Sequence, residues 1–145
     1  MRNILATEDN IAYFLARLFL GIVILPHGLQ KTLGMFGGYG LTGTVDFFTS
    51  MGMPLIVAYL IIIGESLGSL GLIVGFLGRV GALGIALIML GAILMVHVKN
   101  GFFMNWSGNQ QGEGFEFHLL AIGLALIVLI KGSGKWSIDH AIAGD

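Results

Sequence analysis

Histidine and carboxylate side chains recur at the ends of apolar segments, where they could exchange protons with a bound ligand. Histidine titrates near neutral pH, and a carboxylate in apolar surroundings can be brought to the same range, so both can act as general acids or bases. We expect His97, Glu116 and Glu65 to carry such chemistry. Other polar residues that flank the same segments are His27, Gln30, Lys31, Lys99, Asn100, Glu113 and His118.

Metal and haem sites are not favoured by the spacing of these residues. Glu116 and His118 are two positions apart, so on a helix they would point to nearly opposite faces. The Glu-x-x-His pattern of di-metal bundles and the HExxH motif are absent, and we expect no metal. The lack of cysteine excludes disulfides, thiol catalysis and CxxCH haem attachment, so we expect no covalently bound cofactor. A bis-histidine haem between His27 and His97 stays open on residue types alone.

The elements that must position these residues belong in lipid. Of the 145 residues, 56% are hydrophobic and only 10% are charged. A soluble domain carries about 25% charged residues, because water must wet its surface. Glycine, at 24 residues, is also abundant, as in membrane helices that pack closely. The net charge of -1 provides no basic field, so we expect no nucleic-acid partner.

Four apolar segments, at about 11–30, 54–77, 79–98 and 115–131, reach the roughly 20 residues that a membrane span needs. We therefore predict an all-α membrane protein, a four-transmembrane-helix bundle with two long outer loops and a single domain over residues 1–145. We interpret the first segment as a retained helix, because no convincing small-residue cleavage site follows it.

Both long loops fall on one side of the predicted bundle, and both are rich in glycine and aromatic residues. Cytoplasmic flanks carry the excess of lysine and arginine. More basic residues flank the side of the bundle that holds the termini than flank the side that holds the long loops. The first group is Arg2, Arg79, Lys131 and Lys135, and the second is Lys31 and Lys99. We expect cytoplasmic termini and a polar site on the outer face, where the two lysines could also simply reach lipid headgroups.

Arg17 and Glu65 are charges within predicted spans, which are costly unless they face a partner or a cavity. Their estimated depths place them within reach of each other, and we predict that they face one another directly or through water or a polar neighbour. A clamp between helices and a role in a site are equally compatible with this pairing. Small residues that could support close helix packing are Gly64, Gly68, Gly71, Gly75, Gly84 and Gly91.

Aromatic rings accumulate beside the predicted outer site. Some must form the interfacial belt of a membrane protein, but a flat, lipid-soluble ring with carbonyl groups could stack on others. A quinone is the ligand that we expect. The aromatic residues in question are Phe36, Tyr39, Phe47, Phe48, Phe102, Phe103, Trp106, Phe115 and Phe117. We expect Phe103, Trp106 and His118 to contribute to binding.

Four stretches together resemble the DoxX family of small bacterial membrane proteins. They are RLFLGIVILPHGLQKTLGMFGGYGLTGTVDFF, GESLGSLGLIVGFLGRVGAL, HVKNGFFMNW and GSGKWSID. The resemblance runs from about Arg17 to Asp139. The site residues that it implies are Arg17, His27, Lys31, Glu65, His97, Asn100 and Glu116.

The resemblance implies a bacterial inner-membrane location and a link to quinones, since related DoxD-type subunits are associated with quinone-linked thiosulfate oxidation. It also implies oxidoreductase partner subunits and a response to oxidative or thiol stress. We therefore expect a quinone-interacting subunit in contact with membrane lipid, which could form a homo-oligomer. A lipid-binding or scaffolding module without enzymatic activity is the main alternative, and a transporter is another. Without cysteine, any sulfur chemistry needs a partner.

Overall fold

The computed structural model describes residues 2–143, and every regular element in that range is helical. The all-α prediction is therefore confirmed for this part of the chain. A 3-10 turn, Met35–Gly37, follows the first long helix. The helices in chain order are α1 (Arg2–Leu5), α2 (Ile11–Leu33), α3 (Gly40–Ser50), α4 (Leu55–Val74), α5 (Gly78–Asn100), α6 (Glu116–Lys131) and α7 (Ile138–Ala143).

Three helices are long and apolar enough to cross a membrane: α2 with 23 residues, α4 with 20 and α5 with 23. Helix α6 has 16 residues, or about 24 Å at 1.5 Å per residue, against a hydrocarbon core of about 30 Å. The fourth span thus stays a prediction. The first predicted loop is wrong in part, because its middle forms the 11-residue helix α3.

Helices α2, α4, α5 and α6 pack around one apolar core. Helix α2 contacts α4 and α6, while α5 packs along α4 and α6. Large apolar side chains on the outside stay exposed, as expected for a surface that faces lipid. The largest fully buried apolar side chains are Leu20, Ile24, Leu72, Ile85 and Val128.

The bundle has two distinct ends. The loop end comprises residues 34–54 and 101–115, together with the helix ends that they join. The terminal end comprises residues 4–10, the short link between α4 and α5, and residues 132–143. Helix α2 continues through Pro26 to Leu33, so His27 and Lys31 lie one turn apart on one face of a continuous helix.

Close contact between α2 and α4 depends on glycines of α2. A Cβ atom at Gly28 would lie 2.5 Å from the carbonyl oxygen of Glu65, and one at Gly21 would lie 2.8 Å from that of Ser69. Backbone atoms cannot swing aside as a flexible side chain can, so these positions fix the separation of the helices. At Gly84 and Gly91, by contrast, an added Cβ meets nothing within 4 Å, and these glycines are not packing contacts within the chain.

Gly28→Ala should therefore lower the free energy of unfolding by about 1–3 kcal/mol, the usual cost of overpacking. The same change at Gly91 should have no such cost, because its surroundings are open. Thermal unfolding followed by circular dichroism in one detergent would compare the two variants. Equal effects at both positions would contradict the contact between α2 and α4.

Candidate functional site

Glu65 forms a buried ion pair with Lys31 at the loop end. The ammonium nitrogen lies 2.5 Å from Oε2, and only 7% of the Glu65 side chain is exposed, against 22% for Lys31. Long helical side chains point back toward the N-terminus, and the Lys31 Nζ also lies 3.5 Å from the His27 carbonyl oxygen. The pair is a close charge contact rather than an aligned hydrogen bond. Lys31 thus turns toward Glu65 and does not extend toward headgroups.

Both Glu65 and His97 lie in π-helical turns, Gly64–Gly68 in α4 and Ile93–His97 in α5. A π-turn inserts one residue into the helix, and such turns are often found at functional sites. Near the first turn, the hydroxyls of Ser66 and Ser69 donate to the backbone carbonyls of Ile62 and Glu65. The sequence reading missed these turns, since hydrophobic periodicity does not register a single inserted residue.

A cleft of about 260 Å³ opens beside Lys31. It lies between the end of α2 and helix α3, so the predicted first loop supplies a wall that is mainly helical. Lys31 therefore faces the cleft while its ammonium group contacts the buried carboxylate. The lining residues are Gln30, Lys31, Gly37, Gly38, Tyr39, Thr44, Phe47 and Phe48.

Three histidines extend from this pair across the bundle. The rings of His97 and His118 are 4.1 Å apart between centroids. Phe117 lies between His27 and His118, and its ring centroid is 6.2 Å from that of His27 and 5.5 Å from that of His118. Helices α2, α5 and α6 each contribute one of these histidines, so the predicted convergence of His27, His97 and His118 is present in the structure.

Glu113 and Glu116 organise the second loop. The Glu116 Oε1 atom accepts hydrogen bonds from the backbone of Met104 at 2.8 Å and from the Trp106 indole at 3.1 Å. The Glu113 carbonyl oxygen accepts a bond from the Asn100 amide at 3.0 Å. Glu116, expected to exchange protons, is thus engaged in holding residues 104–106.

The aromatic residues of the second loop do not line the cleft described above. Trp106 is 85% exposed and Phe103 is 66% exposed. Their expected contribution to ligand binding therefore stays a prediction, whereas Tyr39, Phe47 and Phe48 of the first predicted loop surround a defined space.

Arg17 extends toward the other end of the bundle, and the prediction that it faces Glu65, directly or through water or a polar neighbour, is wrong. Its guanidinium group is fully buried and donates to carbonyl oxygens of Leu72 and Ile73 at 2.7 and 2.6 Å. Position 73 is eight residues from Glu65, or about 12 Å along the helix. Long helical side chains point toward the N-terminus of their own helix, and α2 and α4 run in opposite directions, so Arg17 and Glu65 extend toward opposite ends of the bundle. Its other acceptors are the carbonyl oxygens of Ser133, Lys135 and Trp136.

Asp139 completes the terminal end. Its carboxylate accepts hydrogen bonds from the backbone N–H groups of Leu77 and Gly78 at 2.7 and 2.9 Å, and from the Ser133 hydroxyl at 2.6 Å. It thereby caps the start of α5. Sequence reasoning did not single out this residue, and its only signal was its place in the terminal GSGKWSID stretch.

The contact between the end of α4 and residues 132–143, which we call the tail, requires a glycine. Gly75 has a φ of +71°, in the left-handed region, and a Cβ atom there would lie 3.0 Å from the Arg17 guanidinium carbon. Its carbonyl oxygen accepts from the Asp139 backbone at 2.8 Å. The tail is therefore bound to the bundle through charged groups, and these groups serve structure.

A family model described as DoxX matches residues 12–98, which span α2 to α5. The chain belongs to the DoxX family. This DoxX protein is 36% identical over 130 residues to "Putative oxidoreductase CatD" of Bacillus subtilis (strain 168), covering 90% of this chain and 86% of the relative. It is also 27% identical over 134 residues to "Inner membrane protein YqjF" of Escherichia coli (strain K12), covering 92% of this chain and 94% of that protein. No solved structure matches.

Lys31→Met and Glu65→Gln should each destabilise the protein. Lys31→Met leaves the buried Glu65 charge without its partner, so it should lower the free energy of unfolding by about 3 kcal/mol. The double variant should cost clearly less than the sum, because both charges are then gone. Free energies of unfolding in mixed micelles would give the coupling. Arg17→Met combined with Glu65→Gln is the matched control. The changes in the free energy of unfolding should add in this pair, because the two residues are far apart. Coupling in the control but not in the first pair would contradict the assigned partners.

Asp139→Ala should lower the free energy of unfolding by about 1–3 kcal/mol for each buried donor that it leaves unpaired. The donors concerned are the amides of Leu77 and Gly78 and the Ser133 hydroxyl. The same measurement on Asp9→Ala, at an exposed position of the same end, provides the control. A stability equal to that of the control would show that the cap is dispensable.

Proposed function

We propose that this DoxX protein is a quinone-interacting subunit of a membrane oxidoreductase system linked to oxidative or thiol stress. The observation that supports this most is the buried Lys31–Glu65 pair beside a cleft lined by Tyr39, Phe47 and Phe48. Lys31 can donate to a quinone carbonyl oxygen, and the aromatic rings can pack on the flat face of the ligand. The isoprenoid tail of a quinone would extend into lipid.

The size of the cleft favours a single ring system. Ligand pockets commonly have about 300–1,000 Å³, and the cleft, at about 260 Å³, lies just below that range. A quinone head group suits such a space better than a nucleotide cofactor does. The partly exposed Lys31 and the buried Glu65 together hold no net charge, so a neutral ring can enter without burying an isolated ion.

Because this chain has no cysteine, electrons from a thiol must come from outside it. A dithiol on a partner subunit or a soluble reductant would balance the reaction: the dithiol loses two electrons and two protons to become a disulfide, and the quinone gains both to become a quinol. The name of the Bacillus subtilis relative, "Putative oxidoreductase CatD", supports this class of reaction. Termini on the cytoplasmic side and assembly into a homo-oligomer remain part of the proposal.

A second candidate is a lipid-binding or scaffolding module without activity of its own. It is favoured by the charged groups that serve packing alone: Arg17 and Asp139 bind backbone groups of the tail and helix ends. The same cleft could then accept a lipid. The two candidates differ in whether a redox-active ring is bound.

Protein purified in mild detergent should contain about one quinone per chain, measured by solvent extraction and mass spectrometry against a mock preparation. Lys31→Met should reduce bound quinone about tenfold or more, because a hydrogen bond from a charged donor contributes about 1.5–3 kcal/mol. Lys99→Met, at the same end but outside the cleft, should retain it.

Phe48→Leu provides a second variant that leaves the ion pair intact and should also lose quinone. Quinone at the level of the mock preparation in the unaltered protein would contradict the redox proposal and favour the lipid-binding candidate.

A further inference from the structure

The three histidines at the loop end, His27, His118 and His97, form what we call the histidine row. It starts beside the cleft, since His27 lies one turn before Lys31 on α2 and within electrostatic range of Lys31 and Glu65. It continues through His118, which lies within electrostatic range of both His27 and His97. It ends at His97, which is half-buried and contacts the second loop.

The hydrogen bond of His97 fixes which of its nitrogens can accept a proton. Its Nδ1 atom lies 2.8 Å from the Glu113 carbonyl oxygen. A carbonyl oxygen can only accept, so Nδ1 carries the hydrogen and the neutral ring has Nε2 as its acceptor. Glu113 is exposed, so this end of the row reaches the surface of the loop end.

His118 is buried and incompletely paired. Only 6% of it is exposed, and its Nδ1 atom has no hydrogen-bond partner among the described residues. An unpaired buried nitrogen destabilises the folded state, and such groups call for an explanation of their own. Its ring faces His97 at 4.1 Å between centroids, close enough for small ring movements to bring nitrogens of the two rings together.

We propose that the histidine row carries protons between the cleft and the surface of the loop end. This inference rests on the proposed quinone function. When a bound quinone takes two electrons from a water-soluble donor, it must also take two protons to form the quinol, and the row would deliver them from water at His97. The step from His118 to His27 passes beside Phe117 and needs a bridging water.

The charged and titratable groups around the row come from several helices. The charged neighbours of His27 are Lys31 on α2 and Glu65 on α4. The titratable neighbours of His118 are the other two histidines of the row. Glu116, at the start of α6, is occupied by the backbone of Met104 and the Trp106 indole. No carboxylate forms a salt bridge with a histidine of the row in the part of the chain that the structure describes, so no ion pair holds these rings in place.

The test uses the full chain in lipid nanodiscs with bound quinone, mixed rapidly with dithionite as the electron donor. Quinol formation is followed by stopped-flow absorbance. His97→Ala should slow it at least tenfold while the bound quinone stays at the wild-type level. Added imidazole should restore the rate, because it can enter at the half-buried position and carry protons. Pyrazole has the same ring size but is a far weaker base, so it should not restore the rate.

Two further variants keep the outcome clear. His118→Gln should reproduce the slow rate without rescue, and His140→Ala, a histidine at the terminal end, should react as the wild type does. An unchanged rate in His97→Ala, or equal rescue by imidazole and pyrazole, would overturn the proton role while leaving quinone binding intact. Absence of quinone from the wild-type protein would overturn both proposals.

Discussion

Charged groups inside an apolar bundle need partners from the same chain, and this constraint governs both ends of the protein. Lipid offers no water to solvate a guanidinium or a carboxylate. Arg17 meets the requirement with backbone carbonyls of α4 and the tail, and Asp139 meets it with amides at the start of α5. Glu65 meets it with a single lysine. The placement of the helices follows from these attachments as much as from the apolar core.

The two ends use charge differently. At the terminal end, the donors of Arg17 are saturated by carbonyl oxygens and the carboxylate of Asp139 holds several donors, so neither group is available to a ligand. At the loop end, the Lys31–Glu65 contact leaves the lysine partly exposed to a cleft, and His118 keeps a nitrogen unpaired. Polar groups that are buried without full pairing destabilise an apolar bundle, and this incomplete pairing is the physical reason to assign function to the loop end.

The sequence predicted the long apolar helices α2, α4 and α5 and the convergence of the histidines, because both depend on position along a helix. It failed where direction around the helix or contact with a distant segment decided the outcome. Arg17 was matched to Glu65 by depth alone, whereas its acceptors lie partly in residues 133–136, more than 100 positions away. The role of Asp139 and the helical cleft wall at α3 are long-range features that no local pattern encodes.

The π-turns of α4 and α5 have a consequence for how such chains diverge. Removing one residue from either turn would restore a regular α-helix, keep the span apolar and leave the flanking turns in register, because the wide turn absorbs the inserted residue; the change of direction would fall on the residues of the turn itself. Glu65 or His97 would then leave its neighbours without any substitution at the site itself. Among related chains, a one-residue gap in these helices is therefore a better marker of altered chemistry than many changes of side chain.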